Sequence, residues 1–287
     1  MLRYDVVDVF TDRPFAGNQL AVVHGAEGLD DGQLLALARE FHYSETTFPS
    51  KVSTDGYSVR IFTPGGEIPF AGHPTLGTAW VLREAGLLGG EAVAQTCGAG
   101  VIDVRFGSGL VSLTALPGDL VPCPPAVAAA VLDDLGLSRE TLLSAYFGGT
   151  GLTFLHLQVR DEAVTAARLP LRPLESYPLG ELGLRDPLGG IDLYAVSGNA
   201  VHVRMFSPGL SVPEDPATGS SAAGLGLVLA ASGVLSEGGD YEISQGVEIG
   251  RPSTLHGSVQ ASGGVATSVS VAGAVQPIAS GQIRVPA

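Results

Sequence analysis

Arg60-Ile61-Phe62-Thr63-Pro64-Gly65, running on to Pro69, Gly72, His73, Pro74 and Thr75, is a stretch that the chain writes twice. The second copy is Arg204-Met205-Phe206-Ser207-Pro208-Gly209, running on to Pro213, Asp215, Pro216, Thr218, Gly219 and Ser220. In each, a strand-like run meets Phe-Thr/Ser-Pro-Gly, then a proline-rich turn, then a small-residue helix (76–88 and 221–231). The offset is 144 residues in a chain of 287, so the repeat halves the sequence. Two similar halves, each with a glycine-bearing turn at a helix start, predict two domains facing a shared cleft. The turns differ where chemistry would sit: one carries His73, the other Asp215.

Outward from these copies, the first half reads as strands at 4–10 and 19–24, a helix at 30–41, strands at 46–50 and 57–62, and a helix at 75–85. Strand segments follow at 92–106 and 110–115. The helix from Asp30 has an acidic cap and places Leu34, Leu35, Leu37, Ala38 and Phe41 at helical spacing. The second half repeats the order, with a helix at 127–135, strands at 145–147 and 153–159, a helix at 162–168, strands at 192–196 and 202–206, and a helix at 220–231. Strands at 241–247, 254–260 and 267–271 complete it. Residues 171–190, rich in Pro, Gly and Leu, read as an inserted loop, so earlier elements align at a smaller offset. The helix from Gly219 has no polar face, which marks it as buried all round. The fold predicted is α+β, with two pseudo-symmetric domains, each a curled, mostly antiparallel sheet around a buried central helix. The boundaries expected are 1–118, carrying Glu45 and His73, and 119–287, carrying Asp215 and Ser220; the last strand is one that could return to the first domain.

Composition narrows the function. The chain is 45% apolar and 15% charged, an ordinary globular balance. A net charge of −14 with no Lys/Arg-rich block argues against nucleic acid and anionic membrane surfaces. The longest apolar stretch, 222–231, is too short to cross a bilayer. Two cysteines, Cys97 and Cys123, and an N-terminal run broken by Tyr4, Asp5 and Asp8 lead us to expect a cytoplasmic protein. Six scattered histidines give no support for a metal site, and nucleotide, zinc-protease and serine-hydrolase motifs are missing.

The two turns carry the chemistry. A buried helix leaves its first N–H groups without intrahelical partners at the positive end of its dipole. Gly72 and Gly219 let a ligand approach that backbone, suiting a carboxylate or an enolate-like oxygen. Capped helix starts without a ligand are the bland alternative, since Thr75, Thr218 and Ser220 are good caps. The pairing of the turns, with His73 in one and Asp215 in the other, favours a site; the His73 ring is expected to project beyond its helix. Glu45, in Tyr43-Ser44-Glu45-Thr46-Thr47, opens an apolar, Thr-rich strand, an odd place for a carboxylate unless it faces a cleft. Asn18, after Gly17 at a strand start, reads locally as a turn residue.

Together these segments resemble the PhzF-like family of phenazine biosynthesis, within the diaminopimelate epimerase fold. The resemblance rests on Asp8-Val-Phe-Thr with Pro14-Phe-Ala-Gly-Asn18-Gln-Leu-Ala-Val, Ser44-Glu45-Thr46, Pro69-Phe-Ala-Gly72-His73-Pro-Thr, and Glu214-Asp215-Pro-Ala-Thr-Gly219-Ser220. Ser244-Gln245-Gly246 and Gly250-Arg251-Pro252-Ser253 extend it. It implies that Glu45 transfers the proton, with His73, Asp215 and Ser220 around the substrate and Asn18, Ser44, Gly72 and Gly219 binding it. It also implies a homodimer and a reaction without metal or organic cofactor, the type member isomerising a dihydro-hydroxyanthranilate by moving a proton between ring carbons.

The residue types suit that chemistry, because moving a proton on carbon needs a base in reach and stabilisation of the charge left behind. The sequence therefore predicts a cofactor-independent isomerase of a small, carboxylate-bearing substrate, open-chain or cyclic. One alternative is a cysteine-type epimerase or racemase, but neither turn holds a cysteine. Another is a non-catalytic ligand-binding or interaction protein on the same fold.

Overall fold

The alternation and β-branched runs of the first half fold as expected, in a computed structural model that describes residues 1–179, 181–208 and 213–287. Gly209, from the second Phe-Ser-Pro-Gly copy, and Gly180, from the 171–190 segment, lie outside the described residues. The chain divides into two units, Met1–Leu113 with Ala272–Ala287, and Thr114–Val271.

In the first unit β1 (Leu2–Val9) pairs antiparallel with β2 (Asn18–Val23). The chain crosses through α1 (Asp31–Phe41) to β3 (Glu45–Ser53), which runs parallel to β2 with Leu20 opposite Glu45. A hairpin leads to β4 (Gly56–Thr63) and a second to the short β5 (Gly66–Ile68). Then α2 (Gly72–Glu84) carries the chain to β6 (Ala92–Cys97), parallel to β4. The antiparallel strands β7 (Gly100–Gly107) and β8 (Leu110–Ala115) follow. Parallel neighbours need a crossover, and here both crossovers are helices.

The second unit uses the same sequence of pairings. After β9 (Leu120–Pro122) and α3 (Pro125–Asp134), β10 (Leu142–Gly149) pairs antiparallel with β9 and with β11 (Thr153–Val159). α4 (Asp161–Ala166) crosses to β12 (Leu188–Ser197), parallel to β11. The hairpin to β13 (Ala200–Phe206) and the two-residue β14 (Glu214–Asp215) precede α5 (Gly219–Ala231). β15 (Gly239–Gln245) is parallel to β13 and antiparallel to β16 (Ser253–Ser262), which β17 (Val265–Gly273) follows. β18 (Val275–Ile283) pairs antiparallel with β1, from Leu2 opposite Ile283 to Val9 opposite Val275. Thus β1–β7 and β10–β16 repeat one plan, and α3, the helix expected at 127–135, has no counterpart before β1.

Local chemistry sets the helices. α1 starts in a capping box, with Asp30 Oδ1 accepting from the Gln33 N–H at 2.9 Å and Gln33 Oε1 accepting from the Asp30 N–H at 3.2 Å. It buries Leu34, Leu37 and Ala38 against Val23, Phe48 and Phe62. α2 and α5 are the buried helices predicted by their composition; every α5 residue from Ser221 to Ala230 is buried. Their small residues allow close approach. A Cβ on Gly77 would lie 2.6 Å from Leu20 Cδ2, and one on Gly224 would lie 2.8 Å from the Gly148 carbonyl oxygen.

Candidate active site

In the first unit the parallel register of β2 and β3 brings two strand starts to one end of the sheet. Asn18, the first residue of β2, is buried and its Oδ1 accepts from Ser44 Oγ at 3.1 Å; Glu45 is the first residue of β3. The loop before Asn18 is shaped by backbone in the left-handed region at Phe10, Phe15 and Gly17. The Phe15 N–H donates to the buried Asp8 carboxylate at 2.8 Å, and a Cβ on Gly17 would collide with the Val9 carbonyl oxygen at 2.4 Å.

The turn after β5 delivers α2 to the same end. α2 begins at Gly72, three residues earlier than read from the sequence, so His73 lies inside the helix and its ring is buried rather than projecting. His73 Nε2 stands 3.4 Å from Glu45 Oε2, with side-chain exposures of 6% and 15%. Burial pushes the imidazole down to about 3, outweighing a hydrogen bond to the Gln19 backbone that favours the charged ring. The contact is therefore between a carboxyl group and a neutral imidazole, a pair suited to handling a proton, rather than an ion pair. α2 is anchored by hydroxyls and amides: Thr47 and Thr78 share a hydrogen bond of 2.8 Å, and Gln95 Nε2 donates to Thr75 Oγ1 at 2.8 Å.

In the second unit β13 and β14 pair Met205 with Asp215 and Phe206 with Glu214. Arg204 holds Glu214 by two hydrogen bonds of 2.8 Å. Asp215 Oδ2 accepts from Thr218 Oγ1 at 2.6 Å, and Gln245 Nε2 donates to the Asp215 carbonyl oxygen at 2.8 Å. Gly219 and Ser220 are the first two residues of α5, both half-buried. Beneath them Ser221 Oγ donates to Asp192 Oδ2 at 2.5 Å, and the same oxygen lies 3.0 Å from His156 Nδ1, all three residues being buried.

Neither cap residue, Ala71 for α2 or Thr218 for α5, bonds its helix start through its side chain. Thr218 occupies the cap position of α5 but gives its hydroxyl to Asp215, and Thr75 Oγ1 donates to the Ala71 carbonyl oxygen. The threonine caps expected of the bland alternative are thus not made, and the leading N–H groups lie at the positive ends of their helix dipoles. Among the described residues, no group of three or more His, Cys, Asp or Glu side chains could hold a metal ion. Cys123 is buried, with its thiol pushed up to about 12, and Cys97 ends β6, at a β-turn rather than in either of the two helix-start motifs. No helix of the described residues is long and apolar enough to cross a membrane. Sequence reading missed the Asp192–His156–Ser221 network and the part played by Thr218 and Gln245. Their signal was a polar residue on a strand's buried face or at a cap, which a single sequence does not distinguish from a solvated one.

The sequence profile of the phenazine biosynthesis-like protein family (PhzC-PhzF) matches residues 7–281. The trans-2,3-dihydro-3-hydroxyanthranilate isomerase of Pseudomonas aeruginosa is 34% identical, over 95% of this chain and 96% of that protein. A structure described as a predicted epimerase, also from Pseudomonas aeruginosa, superposes with a TM-score of 0.83 at 30% identity, covering 99% of both chains. A Bacillus anthracis phenazine biosynthesis protein of the PhzF family superposes with a TM-score of 0.85 at 22% identity, again over 99% of both, and supports the fold.

Proposed function

The chain belongs to the phenazine biosynthesis-like (PhzC-PhzF) family and is an isomerase, and we propose that Glu45 is the group that moves the proton. The observation that carries this reading is the half-buried Glu45 carboxyl group held 3.4 Å from a buried, neutral His73. A neutral imidazole can accept a hydrogen bond from a protonated Glu45 while leaving the ionised carboxylate able to take a proton from carbon, without fixing it as an ion pair. A single carboxylate that takes and returns a proton suits a shift between neighbouring carbons on one face of a substrate. The substrate class proposed is a small cyclic, unsaturated carboxylate such as trans-2,3-dihydro-3-hydroxyanthranilate, the compound named for the Pseudomonas aeruginosa relative.

His73, Asp215 and Ser220 are proposed to act on that substrate, and Asn18, Ser44, Gly72 and Gly219 to bind it. The helix starts at Gly72 and Gly219, whose cap residues make no side-chain cap bond, support this assignment, since backbone N–H groups at a dipole's positive end stabilise a carboxylate or a developing enolate-like oxygen. No metal or organic cofactor enters the reaction as proposed. A cytoplasmic homodimer is part of the same reading, and light scattering on the purified protein tests the dimer. The experiment for the reaction is incubation with trans-2,3-dihydro-3-hydroxyanthranilate in heavy water, followed by proton NMR. A shifted double bond with deuterium on a ring carbon is expected; no turnover of this or related cyclic carboxylates would remove the proposal.

A further inference from the structure

The buried amide of Gln245 meets the Asp215 turn at two points. Nε2 donates to the Asp215 carbonyl oxygen at 2.8 Å and to Thr218 Oγ1 at 3.2 Å, while Oε1 faces the Thr218 N–H at 3.4 Å. A carbonyl oxygen only accepts, so the end of the amide facing Asp215 must be the NH2 group. The same nitrogen occupies a lone pair of the Thr218 hydroxyl. The hydroxyl has one proton to place, and among the described residues its acceptor is Asp215 Oδ2, 2.6 Å away. That length is typical of an O–H donating to a carboxylate. Every link thus has one direction, from Gln245 through Thr218 to Asp215.

The first unit contains the same device with a different end. Gln95 sits on β6, which stands to β4 as β15 stands to β13. It accepts from Tyr57 Oη at 2.7 Å and donates to Thr75 Oγ1 at 2.8 Å, and Thr75 passes its proton to the Ala71 carbonyl oxygen at 2.9 Å. A buried glutamine bonded to a threonine at the helix start is common to both units, and in the second the couple ends on a carboxylate. A couple that served helix anchoring alone has no need of that carboxylate.

We infer that Gln245 and Thr218 are positioning residues: they form a one-way relay that fixes the direction of the Asp215 carboxylate and holds it ionised. Asp215 then serves as a standing acceptor for a donor group on the substrate, rather than as the acid that delivers a proton. The inference rests on the proposed place of Asp215 in the site. Other charged groups of the unit surround the turn. Glu214 is engaged by Arg204 from β13, Arg251 lies in the loop that packs on Pro216 through Gly246, and Asp192 with His156 lies below Ser221. The Thr218 hydroxyl bonds Asp215 Oδ2 itself, so the relay acts on that oxygen directly.

The test is a titration of the full chain labelled with carboxyl-13C aspartate, with Asp215 identified by the signal lost in Asp215→Asn. Thr218→Val keeps the shape and removes the donor; Gln245→Met removes the amide that orients it. Each is expected to raise the Asp215 pKa by about one unit, because a hydrogen bond to the charged form is lost. Thr218→Ser, which restores the hydroxyl, should titrate as wild type. Should a folded Thr218→Val or Gln245→Met titrate at the wild-type value, the relay is wrong, whatever the turnover. Should Asp215→Asn keep full turnover of trans-2,3-dihydro-3-hydroxyanthranilate while the titration shifts as expected, the relay stands and the site role of Asp215 fails.

Discussion

Arg204 grips Glu214 through two parallel hydrogen bonds of 2.8 Å, and Arg60 grips Glu67 in the same fork at the equivalent place in the first unit. Each guanidinium also lies over the ring two residues on, Phe206 or Phe62. What differs is water. The Arg204–Glu214 side chains are 8% and 5% exposed, and Arg204 further donates to the carbonyl oxygens of Val164 and Ala167; Arg60 and Glu67 are 38% and 42% exposed. Glu214→Ala leaves a buried guanidinium without its partner and should cost about 3–5 kcal/mol. Glu67→Ala should cost at most about 1 kcal/mol, since water replaces the lost partner. Urea unfolding of both variants checks this, and equal losses would show that burial does not separate the two forks.

Glu45→Gln preserves shape but cannot take up a proton. Turnover should fall by roughly 10²–10⁴-fold, the usual contribution of general acid–base catalysis. Binding of a substrate carboxylate, followed by calorimetry, should change little because the helix-start donors are untouched. Full turnover by this variant would make Glu45 a junction residue.

Acid should reveal the buried His73. The unfolded ring takes up a proton as pH falls through about 6.5, whereas the folded ring resists until about 3. The unfolded state binds more protons across that window, so this group's contribution is complete above about 6.5 and is lost as pH falls, at up to about 1.4 kcal/mol per unit. Tm of the wild type should therefore drop more steeply between pH 7 and 4 than Tm of His73→Gln. Parallel curves would mean that His73 titrates normally in the folded protein.

Cysteine chemistry should be dispensable. Cys123 is buried with a raised thiol pKa, and neither helix-start motif contains a cysteine. Cys97→Ser and Cys123→Ser should keep turnover, and iodoacetamide should leave the native enzyme active. Rapid inactivation that substrate prevents would instead favour a cysteine-type epimerase.

Gly224 sets two effects against each other. Helix propensity alone predicts that replacing this glycine by leucine stabilises α5, by up to about 1 kcal/mol. Packing predicts the opposite, because the first side-chain atom would sit 2.8 Å from the Gly148 carbonyl oxygen, which is backbone and cannot swing aside. Gly224→Leu should lose about 1–3 kcal/mol or more in thermal or urea unfolding.

Much of this architecture was legible because two periodicities survived in the sequence. The strand at 153–159 and the helix ending at Phe41 were readable from alternation and helical spacing, and the all-apolar run after Gly219 marked a buried helix. The short β5, β9 and β14 were not, since two or three residues carry no period, and α3 showed its helical pattern without showing that it breaks the repeat. Glu45 and His73 stood out as polar residues in apolar or small-residue surroundings. Gln245 did not, because its partners, Thr218 and the Asp215 carbonyl, are distant in sequence and meet it only through the parallel pairing of β13 with β15. The neutral state of His73 was equally hidden, since burial rather than any neighbour in sequence determines it.

The pairing of β18 with β1 bears on how the protein is made. The second unit is continuous, Thr114–Val271, and all its strand partners are present once that stretch has left the ribosome. The first unit is begun earlier, yet Leu2 must wait for Ile283 before its edge is satisfied. Until then β1 offers unpaired N–H and C=O groups to any passing strand. Synthesis thus starts one unit and finishes the other first, which makes the interval before β18 emerges the period when a nascent chain most needs a chaperone to shield its open edge.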